Sequence, residues 1–183
     1  MCRTARSVLG AATTEPSTER AVLHIEDFAL DAERTGAAYR HEIVQRAIER
    51  LEAKHAQRLS VPAGTEVLAL ATLHVTDGVP AAYETRLVNL AVVPEARDES
   101  FAALPPGTWL LRKVPWTEAE HVISAVNADR ALARNLAVAA GAACLVLERR
   151  TWQAGAFVTE ARIAYPGDRH RLVGRFSPVA QGG

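Results

Sequence analysis

Glu84 and Arg86, two charged residues on one short stretch, are the groups in this chain best placed to do chemistry. On a strand, residues i and i+2 share a face, so a carboxylate and a guanidinium stand side by side. Such a pair either neutralises itself or holds a small molecule that carries both an acid and an N–H donor. Tyr83 adjoins it. A second Glu-x-Arg, Glu160 and Arg162, recurs later, and Arg162 is open either to a ligand or to Glu160. His121 lies close to Glu118 and Glu120 and could be mistaken for part of a metal cluster. One imidazole among carboxylates on a single strand lacks the ligand set of a structural zinc site. No metal and no cofactor is expected. No nucleophile–base pair stands out for covalent catalysis, so the expectation is a binding protein rather than an enzyme.

These charges need a rigid carrier, and Glu66 to Asn89 reads as one β-hairpin. Val67, Ala69, Ala71, Leu73 and Val75 fall on one face, and Leu68, Leu70, Thr72 and His74 on the other. Asp77-Gly78 is a dipeptide that closes a tight hairpin, because both residues accept positive φ. With a two-residue loop, Glu84 falls opposite Ala71 and Arg86 opposite Ala69. A slip of one residue would reverse the faces. The pattern occurs twice: Ala56 to Gly64 matches Ala133 to Gly141, 77 residues on. The match continues through Leu68/Leu145 and Leu70/Leu147 to Gly78/Gly155, with Ala154-Gly155 as the second turn. Past the turns the second copy aligns one residue shorter, which sets Glu84-Thr85-Arg86 against Glu160-Ala161-Arg162. Two copies of so long a period imply two strand–helix–hairpin units sharing one sheet rather than a solenoid. A cleft between the halves is a natural binding place.

The rest of the chain fits one domain around that sheet. Its 183 residues suit a single core, and Thr-, Arg- and Ser-rich residues 1–20 predict a disordered tail. The folded domain is expected over 21–178, with a second tail over 179–183. Asp27 can cap a helix, FALDAERT, that Gly36 ends. A strand is expected near 41–49 and a helix near 52–59. Further on, the pattern predicts a short helix around Ser100 to Leu104 and a strand from Trp109 to Pro115. It then predicts a strand from Glu118 to Asn127, a helix capped by Asp129, and a last strand near Arg171 to Phe176. Helices interspersed with hairpins give an α+β fold with helices packed over an antiparallel sheet. Lys plus Arg equals Asp plus Glu, 21 against 21, so no global charge draws the chain to nucleic acid. No apolar run reaches membrane-spanning length, and the expected location is the cytoplasm. Cys2 and Cys144 form neither a disulfide framework nor a CxxC metal site.

Several stretches carry a family resemblance: IEDF (25–28), HVTDGVPAAYETRLVN (74–89), EAEHVISAV (118–126), RRTW (149–152) and GAFVTEARIAYPGDRHRLVGRF (155–176). Together they make the chain resemble the UTRA domain, the effector-binding half of GntR-type regulators, and within it the HutC-type histidine-utilisation repressors. The resemblance implies a chorismate-lyase-like fold, a small-molecule pocket and a homodimer. Such regulators begin with a winged helix, which the residues before the domain are too few to supply. The resemblance therefore implies a sensor without its own DNA-binding domain, and no direct DNA binding by this chain alone.

The resemblance also nominates site residues. Glu84 falls where relatives carry a ligand-contacting glutamate, although an ion pair with Arg86 explains it equally well. Thr72 and His74 stand where sugar-phosphate-sensing relatives carry two phosphate-gripping arginines. Their identity here implies an effector without phosphate, and a His at 74 is similar to the HutC pattern. Thr159 and Tyr165 match polar ligand contacts, and Trp109 matches an aromatic one, with core packing as its alternative. Arg86, Arg162 and His121 complete the set. The implied effector is a small anionic metabolite of histidine breakdown such as urocanate. The alternatives are a chorismate-lyase-like enzyme and a ligand-free dimerisation module.

Overall fold

The computed structural model describes residues 28–172. The tails expected over 1–20 and 179–183 and the Asp27 cap lie outside the described residues. Of the strand expected near Arg171 to Phe176, residues 171 and 172 are not in a strand and the rest lies outside.

In chain order the elements are α1 (Phe28–Thr35), β1 (Tyr39–Arg50), α2 (Ala53–Arg58), β2 (Glu66–Thr76), β3 (Val79–Asn89), α3 (Pro106–Lys113), β4 (Glu118–Asn127), α4 (Arg130–Leu136), β5 (Ala143–Gln153) and β6 (Ala156–Pro166). The six strands form one antiparallel sheet in the order β1-β2-β3-β6-β5-β4. Each half is a strand, a helix and a hairpin, and the halves meet where β3 pairs with β6. The second half repeats the first at a constant spacing of 77: Ala53 and Arg130 open the helices, Glu66 and Ala143 the third elements, Val79 and Ala156 the return strands.

Both hairpins turn on two residues in the left-handed region, Asp77 with Gly78 and Ala154 with Gly155. The register beyond them departs from expectation. Val75 pairs with Pro80, but His74 pairs with Ala82, so Ala81 bulges and every later pair shifts by one. Glu84 therefore sits opposite Thr72, not Ala71, and Arg86 opposite Leu70, not Ala69. The bulge turns both charges to the opposite face of the sheet. The second hairpin bulges at the equivalent Val158, so the spacing of 77 holds throughout. Glu84 corresponds to Ala161 and Arg86 to Ile163, which corrects the match of Glu84 with Glu160 and of Arg86 with Arg162.

Two layers cover the sheet. On one face α2 closes a cluster of Leu51, Ala56, Leu59, Val67 and Phe157, and α4 closes one of Leu132, Ala133, Leu136, Cys144 and Val146. Asp129 caps α4 by accepting from the Leu132 N–H. On the other face α3 and the connection before it pack Phe101, Trp109, Leu110 and Val114 onto Leu68, Leu70 and Val88. The strand expected from Trp109 to Pro115 is this helix. Pro106 sits in its first turn, where a missing N–H costs nothing, and Trp109 and Leu110 are buried at helical spacing from it. The helical turn of the preceding connection is a 3₁₀ turn at Pro94–Arg97, not a helix at Ser100 to Leu104.

Candidate functional site

The α3-covered face holds two adjacent rungs that cross the sheet. One runs Thr72, Glu84, Ile163, Leu147, and the next Leu70, Arg86, Ala161, Arg149, His121. The buried charges on these rungs are one carboxylate, Glu84, and two guanidiniums, Arg86 and Arg149. Ala161 stands between the arginines, and its small side chain leaves them room.

Glu84 is 2% exposed and accepts from Arg86 Nε at 2.6 Å. Burial alone would push its carboxyl up. The Arg86 guanidinium and His74 outweigh that and hold it well below the usual carboxylate range, so it is ionised. Arg86 also donates from Nη1 to Thr159 Oγ1 at 3.2 Å, and that hydroxyl donates to the Leu87 carbonyl at 2.7 Å. The first turn of α3 lies directly over the pair. A Cβ on Gly107 would stand 3.0 Å from Arg86 Nη2, tighter than ordinary van der Waals contact, so glycine eases the helix's close approach.

His74 occupies the next rung. Its Nδ1 is hydrogen-bonded to Tyr39 Oη at 2.8 Å, and its Nε2 stands 3.7 Å from Glu84 Oε2, beyond hydrogen-bond length. Phe28 of α1 stacks on the imidazole with centroids 4.0 Å apart. Tyr165 lies beside Phe28 and stacks on His170 at 3.8 Å. Two buried polar atoms here, Thr72 Oγ1 and His74 Nε2, find no hydrogen-bond partner among the described residues. Buried polar groups of this kind are rare in folded proteins and call for a reason. The enclosed space is small: two cavities of about 20 Å³ and 10 Å³, both lined by Arg86, Gly107 and Arg149.

Arg149 donates from Nε to His121 Nε2 at 2.9 Å. Burial, and then the charge of Arg149, pull His121 down to about 4, so the ring is neutral and accepts through Nε2. The arrangement can do three things chemically. It can hold a carboxylate on guanidinium, accept an N–H on Glu84, and sandwich a flat ring between aromatic walls.

The structure thus brings Thr72, His74, Glu84, Arg86, Thr159 and Tyr165 together, with His121 behind Arg149. Trp109 packs edge-on against Phe101 at 5.5 Å in the neighbouring core. Tyr83 and Arg162 lie on the opposite face: Tyr83 packs among the residues under α4, and Arg162 pairs across from Thr85. Arg149, Phe28, Tyr39 and Gly107 were not anticipated. For Arg149 a signal existed, since it follows Leu145 and Leu147 at strand period, on the apolar face. Among the described residues no cluster of His, Cys, Asp or Glu could hold a metal, and no helix is long and apolar enough to cross a membrane.

Residues 34–171 match the model of the UTRA domain. The chain is 33% identical over 169 residues to the histidine utilization repressor of Pseudomonas aeruginosa, covering 92% of this chain and 68% of that protein. It is 35% identical over 170 residues to the histidine utilization repressor of Klebsiella aerogenes, covering 92% and 70%. Among solved structures it is similar to the C-terminal domain of the histidine utilization repressor from Pseudomonas syringae pv. tomato. That similarity has TM-score 0.71 and 33% identity over 76% of this chain and 99% of the other. The effector domain of PhnF from Mycobacterium smegmatis shares the fold, with TM-score 0.75 at 22% identity over 85% of this chain and 97% of that one.

Proposed function

Because this chain belongs to the UTRA domain family of GntR-type regulators, with histidine utilization repressors among its relatives, we propose that the buried polar face under α1 and α3 is its effector site and that the effector is urocanate or a close relative. One observation carries this reading: an ionised Glu84 beside Arg86, with Thr72 Oγ1 and His74 Nε2 buried and lacking hydrogen-bond partners among the described residues. Urocanate supplies what these groups require. Its carboxylate takes Arg86 and Arg149, its imidazole hydrogen-bonds Glu84 or His74, and its flat ring takes the place of Phe28 against His74. A sugar phosphate carries more charge and asks for the arginine pair that Thr72 and His74 replace.

Cavities of 20 Å³ and 10 Å³ are on the scale of single waters. Effector entry therefore has to part α1 or α3 from the sheet, and that displacement is the signal. Coupling of this kind is a difference in effector affinity between two states, typically about 1–3 kcal/mol. The domain works as a homodimer in the cytoplasm and has no catalytic role; incubation with chorismate is expected to yield no product. The dimer forms through β4, an edge strand whose Val122 and Ile123 are exposed.

Thermal denaturation tests the assignment. At a hundred times its dissociation constant a ligand stabilises by about 2.7 kcal/mol, a shift of a few degrees. Urocanate is expected to produce that shift and N-acetylglucosamine 6-phosphate to produce none. No shift with urocanate at millimolar concentration, or a larger one with the sugar phosphate, defeats the reading.

A further inference from the structure

A large open space lies on the other face. Between α2 and the second half of the sheet lies a cleft of about 580 Å³, whose lining includes Gln45, Arg58, Ala71, Thr85, Glu160 and Arg162. It exists because α2 and α4 cover the two flanks of this face and leave the middle bare. Thr85, on a central strand of a six-stranded sheet, is exposed.

Two rungs build the cleft. Ala71, Thr85, Arg162 and Glu148 form one, and Ala69, Leu87, Glu160 and Arg150 the other. The second rung is locked. Glu160 accepts from Arg150 Nε at 2.9 Å and from both terminal nitrogens of Arg58, the Nη2 contact being 2.7 Å. Despite burial, these guanidiniums hold its carboxyl down to about 2. The first rung is loose. Arg162 Nε stands 4.0 Å from Glu148 Oε1, the longest ion pair recorded among the described residues, and both side chains are about two-fifths exposed. A rigid, satisfied wall thus stands beside a guanidinium with slack, over a floor of alanine methyls. The lining carries Arg58, Arg150 and Arg162 against Glu148 and Glu160, a surplus of positive charge on this face.

We propose that this cleft is a second ligand site, separate from the effector site, that takes a small organic acid: carboxylate on Arg162, aliphatic body over Ala69 and Ala71, polar edge toward Thr85 and Gln45. The acid competes with Glu148 for Arg162 and offers a bidentate partner at hydrogen-bond length in place of a contact at 4.0 Å. The sheet between the two faces is one residue thick, so Arg86 and Thr85 lie back to back. This site stands or falls independently of the urocanate reading.

Backbone amide NMR of the intact chain tests it, with glutarate as probe and the uncharged glutaramide as control. Glutarate at millimolar concentration is expected to give saturable shifts centred on Ala71, Thr85 and Arg162, and glutaramide none. Arg162→Gln should weaken glutarate binding by about tenfold or more, the loss of a charged hydrogen-bond pair. Glu148→Gln should strengthen it, because it removes the competing carboxylate. Thr85→Phe, which fills the floor and leaves every charge in place, should abolish it. No saturable shift, equal shifts from glutaramide, unchanged glutarate affinity in Arg162→Gln, or weaker binding in Glu148→Gln would each overturn the proposal.

Discussion

Arg149→Gln separates what the second buried guanidinium does for the ligand from what it does for the fold. Arg149 is 6% exposed and donates from Nε to His121. A hydrogen bond from a charged donor contributes about 1.5–3 kcal/mol. Arg86 shares the rung with Ala161 between them, and Glu84, ion-paired to Arg86, offsets much of the repulsion between the guanidiniums. The substitution should therefore cost about 1.5–3 kcal/mol in stability, several degrees in melting temperature. Binding suffers in addition. A ligand carboxylate that loses one charged partner loses about 1.5–3 kcal/mol, roughly ten- to a hundredfold in affinity.

Calorimetric titration with urocanate and with its methyl ester reads this directly. The wild-type chain should prefer the acid, and Arg149→Gln should shrink that preference by about that factor, with Arg86 keeping the remainder. His121 gives an independent signal. Burial, then Arg149, bring it from 6.5 to about 4, so in the variant its titration should move back up. With the folded value below the unfolded one, the unfolded chain binds more protons between pH 6.5 and 4. Stability is therefore full above that window and falls as pH drops through it; the variant should flatten the fall. An acid-over-ester preference that is undiminished in Arg149→Gln refutes the reasoning. So does an equal loss of affinity for both, which would mark a purely structural role.

Three further outcomes are expected. Glu84→Ala leaves the Arg86 charge buried without its carboxylate and should cost about 3–5 kcal/mol in urea unfolding; the joint replacement Glu84→Leu with Arg86→Met should cost much less, and both should abolish stabilisation by urocanate. Gly107→Ala places a methyl 3.0 Å from Arg86 Nη2, and since Glu84 and Thr159 pin that guanidinium, a loss of about 1–3 kcal/mol with weaker urocanate binding should follow; unchanged values would show that α3 yields instead. Val122→Lys on the unbulged β4 edge should convert the dimer to a monomer in sedimentation, whereas Val44→Lys on the bulged, charged β1 edge should not.

How far the sequence could be read depended on how local each cause was. The turns at Asp77-Gly78 and Ala154-Gly155 were legible because positive φ restricts residue type, and the helix after Asp129 was legible because its cap lies within one turn. The bulge at Ala81 was not. Pro80, which has no N–H to pair, looks like its cause, but the same bulge recurs at Val158, where no proline precedes it. It is therefore a property of how the twisted hairpin packs, written in no single residue, and one bulge sufficed to move Glu84 and Arg86 to the other face. Trp109 to Pro115 failed differently. Its apolar residues suit either period, and Pro105-Pro106 marks the helix start. Arg149 was legible in principle from strand alternation, but its meaning depends on Arg86 two strands away.

The register of β3 against β6 has a consequence for how the molecule can be made. Each half completes its own strand, helix and hairpin, and the halves adhere along six paired residues from Tyr83/Ala164 to Val88/Thr159. A cut at exposed Asp98, in the connection between the halves, would yield two fragments that each keep their local pairing and meet again along the central strands and where α3 packs on Leu68 and Leu70. Thr72, His74, Glu84 and Arg86 would belong to one fragment, and His121, Arg149, Thr159 and Tyr165 to the other. A small molecule bound across that seam acts as an adhesive, adding its binding free energy to the association of the pieces.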